Sequence, residues 1–83
     1  MIIAPSVLTA DLSDLANACQ KAVDVGLNWL HLDVMDGNFV PNLTFGPPVI
    51  KALRKALGDG PIFDAHLMIS NAEVSFQQYI DAG

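Results

Sequence analysis

The sequence contains three short apolar runs, spaced about 30 residues apart, and this spacing is the strongest constraint on its fold. The runs begin near residues 2, 28 and 62, and a helical pattern follows each of them. A spacing of about 30 residues is the length of one parallel strand with its helical crossover. Near-continuous apolar strands are typical of a parallel sheet that is covered on both faces or closed into a barrel. The sequence therefore predicts an α/β fold built from three consecutive βα units.

Turn and capping residues set the expected bounds of these units. Pro47 suits the first turn of a helix, since its missing N–H leaves no hydrogen bond unmade there. Ser70 and Glu73 have the spacing of a capping box for the third helix. The predicted elements are strands 2–7, 27–35 and 62–69 and helices 11–26, 47–58 and 70–82. The expected core contacts of the third helix are Val74, Tyr79 and Ile80.

Three βα units are fewer than a complete parallel fold requires. A (β/α)8 barrel has eight strands in about 250 residues, and a doubly wound sheet has about five or six strands. We therefore expect residues 1–83 to form a partial TIM-barrel domain that comprises the first three βα units of the barrel.

The composition is apolar for so short a chain, with 52% hydrophobic and 16% charged residues. Small domains have proportionally more surface in contact with water, so we expect part of this apolar surface to contact another element or chain. One alternative is therefore a non-catalytic barrel fragment that self-associates through exposed strand edges, and a homo-oligomer is a related expectation.

The charge pattern argues against several classes of partner. The net charge is −5, and four basic residues leave no broad basic patch for a nucleic-acid backbone. No apolar run has the length needed to span a bilayer, so no membrane partner is expected. Cys19 is the only cysteine, and it falls within a helical pattern. We expect it to be a buried thiol without a disulfide, in a cytoplasmic protein.

Ionisable side chains interrupt the second and third apolar runs at alternate positions. Alternate side chains of a strand share a face, so each predicted strand has one polar face and one apolar face. The polar faces carry His31, Asp33 and Met35 on the second strand, and Asp64, His66 and Met68 on the third. Burying such groups is costly unless they are paired or bind a metal. They are either internal groups satisfied by hydrogen bonds or a functional cluster, and their convergence on neighbouring strands favours the cluster.

The chemistry of this cluster suits a divalent metal. His31, Asp33 and His66 supply two imidazoles and one carboxylate, a set that binds zinc, iron(II), manganese or cobalt. A nearby cation would also tune Asp33 as a proton-transfer base.

Ser6 and two methionines have more ambiguous roles. Ser6 lies at the C-terminal end of the first predicted strand, where barrel enzymes place their chemistry, although a simple strand-end hydroxyl is an equal alternative. Met35 and Met68 flank the polar cluster, and methionine is more often a core filler than a site residue. The loop 37–45 is long enough to cover the site.

Three segments of the chain resemble one enzyme family. APSVLTADLSDL, LHLDVMDGNFVPNLTFGPPVIKALRK and FDAHLMI are similar to the N-terminal part of the ribulose-phosphate 3-epimerases, over essentially all 83 residues. They are also similar to the related allulose-6-phosphate 3-epimerases. The resemblance implies a TIM barrel of the pentose phosphate pathway that interconverts D-ribulose 5-phosphate and D-xylulose 5-phosphate. It also implies an enediolate that is held by a divalent metal, with zinc or iron(II) favoured over manganese or cobalt.

The resemblance further implies roles for individual residues. His31, Asp33 and His66 would be metal ligands, and Asp33 would also be one of two acid/base carboxylates. Ser6 and His66 would contact the phosphorylated ketopentose, and two sulfur atoms would pack near the enediolate, those of Met35 and Met68. In this family the second acid/base aspartate and the phosphate-binding loops come later in the barrel. We therefore expect the 83-residue chain by itself to be inactive.

Overall fold

The structure is a computed structural model that describes all 83 residues. Two parallel strands form its centre. In chain order, the elements are a 3-10 turn at Val7–Thr9, α1 (Leu15–Asp24), β1 (Trp29–Met35), α2 (Pro47–Leu57), β2 (Ile62–Met68) and α3 (Ala72–Ala82). The strands pair in parallel from Trp29 with Ile62 to Met35 with Met68. Parallel neighbours need a crossover connection, and α2 provides it. The predicted α/β class with parallel strands is confirmed.

The prediction of a strand at residues 2–7 is wrong. Only Ser6 forms a bridge, in parallel with His31, while the N–H of His31 donates to the carbonyl of Pro5 at 2.9 Å. Pro5 has no N–H with which to extend the ladder, and the chain turns into the 3-10 helix at Val7. The N-terminal segment therefore lies beside β1 without becoming a third strand.

The core lies on the face of β1 that the alternation predicted to be apolar. Leu30, Leu32 and Val34 are fully or almost fully buried. Helices supply the facing side chains, which are Cys19 of α1 and Ile50 and Leu53 of α2. The predicted burial of the Cys19 thiol is confirmed, and burial raises its pKa.

Helix α2 begins and ends as its sequence predicts. Pro47 occupies its first turn, and Gly58 follows its last residue with a φ of 74°, a left-handed conformation that favours glycine. Arg54 in the last turn stabilises the chain that follows. Its guanidinium donates to the carbonyl oxygens of Gly58 and Pro61 at 2.8 Å each and stacks 3.8 Å from the ring centroid of Phe63.

Helix α3 differs from its prediction at its start and on its buried face. Asn71 precedes the helix, and no side chain caps it, so the expected capping box is wrong. The buried face consists of Ser75 and Ala82 with half-buried Tyr79, which recur at the i, i+4, i+7 spacing of one helical stripe. The predicted contacts Val74 and Ile80 are exposed because they lie off that stripe. No helix of the structure combines the length and apolarity needed to cross a membrane.

Candidate active site

The register of the two strands brings their polar faces together. The opposed pairs are His31 with Asp64, Asp33 with His66, and Met35 with Met68. Side chains that are directly opposite on neighbouring strands lie close enough to interact. All six predicted polar-face residues therefore lie in one patch, on the side of β1 opposite its buried leucines.

Asp33 is the centre of this patch. Its Oδ1 lies 3.1 Å from Nε2 of His31 and 3.4 Å from Nδ1 of His66. Its Oδ2 accepts a hydrogen bond from the Ser6 hydroxyl at 3.1 Å. The Asp33 side chain is 17% exposed, whereas that of His66 is 59% exposed. Ser6 thus reaches the site although its segment is not a strand, and both carboxylate oxygens of Asp33 are held.

His31 lies between two carboxylates. Its Nδ1 is 2.8 Å from Oδ2 of Asp64, and its Nε2 faces Asp33. The hydrogen bond with Asp64 raises the pKa of His31 most, desolvation opposes it, and the charge of Asp33 adds to the increase. The alternation of residues along β2 predicts Asp64 on this face but no role for it, because only the strand register shows that it is opposite His31.

The three predicted ligands lie close to one another. One donor atom from each of His31, Asp33 and His66 lies within 4.8 Å of the others. Ligands that are each about 2 Å from an ion lie about 3 to 4 Å apart, so small side-chain rotations would close the set. Two imidazoles and one carboxylate suit zinc or iron(II). The donor set therefore fits a divalent cation.

Met35 and Met68 lie at the end of the sheet next to this cluster. They form the last opposed pair of the register, two positions beyond Asp33 and His66. Both are half-buried. The structure therefore brings the two methionines beside the ionisable cluster, while their contact with a substrate stays a prediction.

Asp36 links the loop after β1 to the end of β2, a contact that the sequence analysis missed. Its carboxylate accepts the backbone N–H of Ser70 at 2.9 Å and those of Asn38 and Phe39 at 2.9 and 2.8 Å. These hydrogen bonds, that of Ser70 above all, lower the pKa of Asp36. Asn38 also donates from Nδ2 to the Ser70 hydroxyl at 2.7 Å. These hydrogen bonds therefore connect the loop after β1 to the residue after the end of β2, beside the site.

Thr44 holds the other end of the same loop. Its hydroxyl donates to the carbonyl of Asp33 at 2.7 Å and accepts the N–H of Met35 at 2.9 Å. Its own N–H donates to the carbonyl of Met35 at 3.1 Å. The loop 37–45 therefore folds back on β1 beside the site residues. No sequence signal predicted this contact, since a lone threonine in a loop has many possible partners.

Comparison with known proteins shows which sequences this chain is similar to. A profile described as the ribulose-phosphate 3 epimerase family matches residues 2–83. The ribulose-phosphate 3-epimerase of Rhodobacter capsulatus is 48% identical over 98% of this chain and 35% of its own length. That of Mycobacterium bovis is 50% identical over 99% of this chain and 34% of its own length.

A plant relative gives a similar match. The ribulose-phosphate 3-epimerase named as the cytoplasmic isoform of Oryza sativa is 46% identical over 98% of this chain and 35% of its own length. The chain therefore spans between 34% and 35% of the length of these three relatives.

Proposed function

Because the chain belongs to the ribulose-phosphate 3-epimerase family, we propose that it supplies part of the active site of an isomerase for D-ribulose 5-phosphate and D-xylulose 5-phosphate. The observation that carries this proposal is the convergence of His31, Asp33 and His66, whose donor atoms lie within 4.8 Å of one another. The proposed substrate class is a phosphorylated ketopentose. The matched relatives are ribulose-phosphate 3-epimerases, which favours this substrate class over allulose 6-phosphate.

The same three residues are proposed to hold a divalent cation, with zinc or iron(II) as the best fit to the donor set. When bound, such a cation supplies Lewis-acid stabilisation of negative charge on substrate oxygens. His31 and His66 would contribute imidazole ligands, and Asp33 would contribute a carboxylate. His66 is the most exposed of the three, which suits additional contact with a substrate.

Asp33 is proposed to be the base that removes the proton at C3. The Ser6 hydroxyl donates to its Oδ2, which orients the carboxylate and supports the proposed contact of Ser6 with the substrate. Met35 and Met68 would form an apolar wall beside the reacting carbon, where few solvent dipoles compete. Epimerisation also needs an acid on the opposite face of C3, and we assign this role to a carboxylate outside residues 1–83.

The proposed architecture is that of the first βα units of a TIM barrel. The parallel pairing of β1 with β2 across a helix supports it. The Pro5–Ser6 segment would take the place of a first strand beside β1, since it already forms one parallel bridge there. The name of the rice relative supports a cytoplasmic location.

The function is tested by grafting residues 1–83 onto the Rhodobacter capsulatus relative in place of the matching 35% of its length. We expect the chimera to convert D-ribulose 5-phosphate. Asp33→Asn in the chimera should lower kcat by at least about 100-fold, because general-base catalysis contributes about 10²–10⁴-fold. Asp24→Asn, which changes an exposed carboxylate on α1, should leave kcat unchanged. Unaltered kcat in Asp33→Asn would refute the assignment of the base.

The proposed metal site is tested separately on the 83-residue chain. Zn²⁺ is titrated in competition with a chromophoric chelator into the parent and into His31→Ala and His66→Ala. Each variant should bind Zn²⁺ more weakly than the parent. Binding that is equal in all three proteins would show that these imidazoles are not ligands.

A second candidate role is self-association through the outer edge of β2. This edge has no partner strand, and Ile62 on it is exposed, as is Ile80 of α3. Exposed strand edges and apolar patches favour association. Size-exclusion chromatography with light scattering tests this role, and a well-folded monomer at high concentration would contradict it.

A further inference from the structure

We infer that Asp64 is a positioning residue, whose carboxylate holds His31 in the orientation and tautomer that present Nε2 to the metal. This inference rests on the proposed function, because it concerns the same site. Asp64 is absent from the predicted ligand set. Its carboxylate oxygens are not among the possible metal-binding atoms that His31, Asp33 and His66 bring together.

The register of the strands determines which side chain faces His31. Asp64 lies directly opposite His31, so the pairing of the two strands determines where its carboxylate lies. The resulting contact, from Nδ1 of His31 to Oδ2 of Asp64, is 2.8 Å long. This is the length of a charge-assisted hydrogen bond. The contact of the other ring nitrogen, Nε2, with Asp33 is longer, at 3.1 Å.

The chemistry of the two contacts assigns the proton. An ionised carboxylate only accepts hydrogen bonds, so Asp64 favours a proton on Nδ1 of His31 and Asp33 favours a proton on Nε2. A neutral imidazole carries one proton, and the shorter contact favours its location on Nδ1. Nε2 then has a free lone pair that points toward Asp33, the residue with which His31 would share the ion. Metal-bound histidines commonly donate their second N–H to a carboxylate in this way.

The exposure of Asp64 argues against a purely structural role. Its side chain is 46% exposed, and an ion pair at such a position contributes little stability. Variants of Asp64 are therefore expected to fold. His31 already has Asp33 as a second charged neighbour, so Asp64 is not needed merely to neutralise the imidazole. Its proposed effect is instead to determine which ring nitrogen of His31 carries the proton.

The tautomer is measured first, on the metal-free 83-residue chain, by long-range ¹H–¹⁵N NMR at alkaline pH, where His31 is neutral. The parent should show the Nδ1–H tautomer at His31, and Asp64→Ala should shift the population toward Nε2–H. Asp59→Ala removes an exposed carboxylate in the loop before β2 and should leave the tautomer unchanged. An unchanged tautomer in Asp64→Ala would overturn the inference, whatever the chain does with metal.

Zn²⁺ affinity is then measured by chelator competition in the parent, Asp64→Ala and Asp64→Asn. Loss of such an outer partner lowers metal affinity by about 10–100-fold, and this is the loss expected for Asp64→Ala. Both substitutions remove the same charge, but Asp64→Asn retains an oxygen that can accept from Nδ1. We therefore expect it to recover part of the affinity and of the parent tautomer.

The outcomes separate this inference from the proposed function. If the parent binds Zn²⁺ and both Asp64 variants bind equally well, the positioning role is refuted while the metal site stands. Equal losses in the two variants would show an effect of charge alone and would also refute it. If the parent binds no Zn²⁺, the proposed metal site fails, and the NMR tautomers still decide whether Asp64 orients His31.

Discussion

Replacement of Arg54 by lysine is expected to destabilise the fold although the charge is kept. The Arg54 guanidinium donates to three carbonyl oxygens, those of Gly58 and Pro61 at 2.8 Å and that of Gly83 at 2.6 Å. It also stacks on Phe63. These contacts join α2 to the start of β2 and to the end of α3. A lysine ammonium is a single point and cannot reproduce this fork.

The size of the loss follows from the contacts that lysine cannot keep. One of the three hydrogen bonds can be retained, and two are lost. Hydrogen bonds to charged groups contribute about 1.5–3 kcal/mol when well shielded. Two of these three are exposed, so each lost bond is worth about 0.5–1 kcal/mol. The stacking on Phe63 adds about 0.5–1 kcal/mol. We therefore expect Arg54→Lys to lower the free energy of unfolding by about 2 kcal/mol.

Urea unfolding followed by far-UV circular dichroism measures this difference. Lys51→Arg is the matched control, because it also exchanges two cations on α2 but at an exposed position. It should change the free energy of unfolding by less than about 0.5 kcal/mol. If Arg54→Lys falls within the same limit, the three carbonyl contacts do not stabilise the fold and the reasoning is wrong.

Three further predictions concern the core and the rim of the site. Leu32→Ala should lower the free energy of unfolding by about 2–5 kcal/mol, because Leu32 is 0% exposed. This is a large part of the total of about 4–12 kcal/mol expected for a chain of this size. Leu43→Ala is the control in the same urea assay and should be nearly neutral, because Leu43 is 78% exposed. Buried Cys19 should react with a thiol reagent only as fast as the chain opens, so rapid labelling without denaturant would contradict its burial. The lowered pKa of Asp36 means that its contribution to stability is present above its unfolded-state pKa and lost as the pH falls through its folded-state pKa. In Asp36→Asn, the free energy of unfolding should therefore fall less steeply as the pH is lowered. An unchanged decrease at acid pH would show that another carboxylate causes it.

Much of the candidate site could be predicted from the sequence, because the direction of a side chain along a strand is a local property. Once residues 29–35 form a strand, His31 and Asp33 must share a face, and Leu32 must point to the other. The same alternation placed His66 with Asp64. The helix ends at Pro47 and Gly58 were predictable for a similar reason, since each depends on the backbone preference of a single residue.

The errors arose where an element depends on a distant partner. The apolar run at residues 2–7 has strand-like composition, but a strand exists only if a neighbouring backbone pairs with it along its length. Only one bridge forms there. The buried face of α3 likewise depends on how the helix lies against α2, which left Val74 exposed and Ser75 buried.

By itself, the sequence determined the α/β class, the polar face of each strand and the three residues that could hold a metal. The tertiary structure alone decided that His31 is opposite Asp64, that the Ser6 hydroxyl reaches Asp33, and that the Asp36 carboxylate spans 34 positions to Ser70. The physical reason is that side-chain direction repeats every two residues along one strand, whereas register arises from the packing of two strands and a crossover helix. A slip of one residue between β1 and β2 would keep the alternation within each strand and would separate His31 from Asp64.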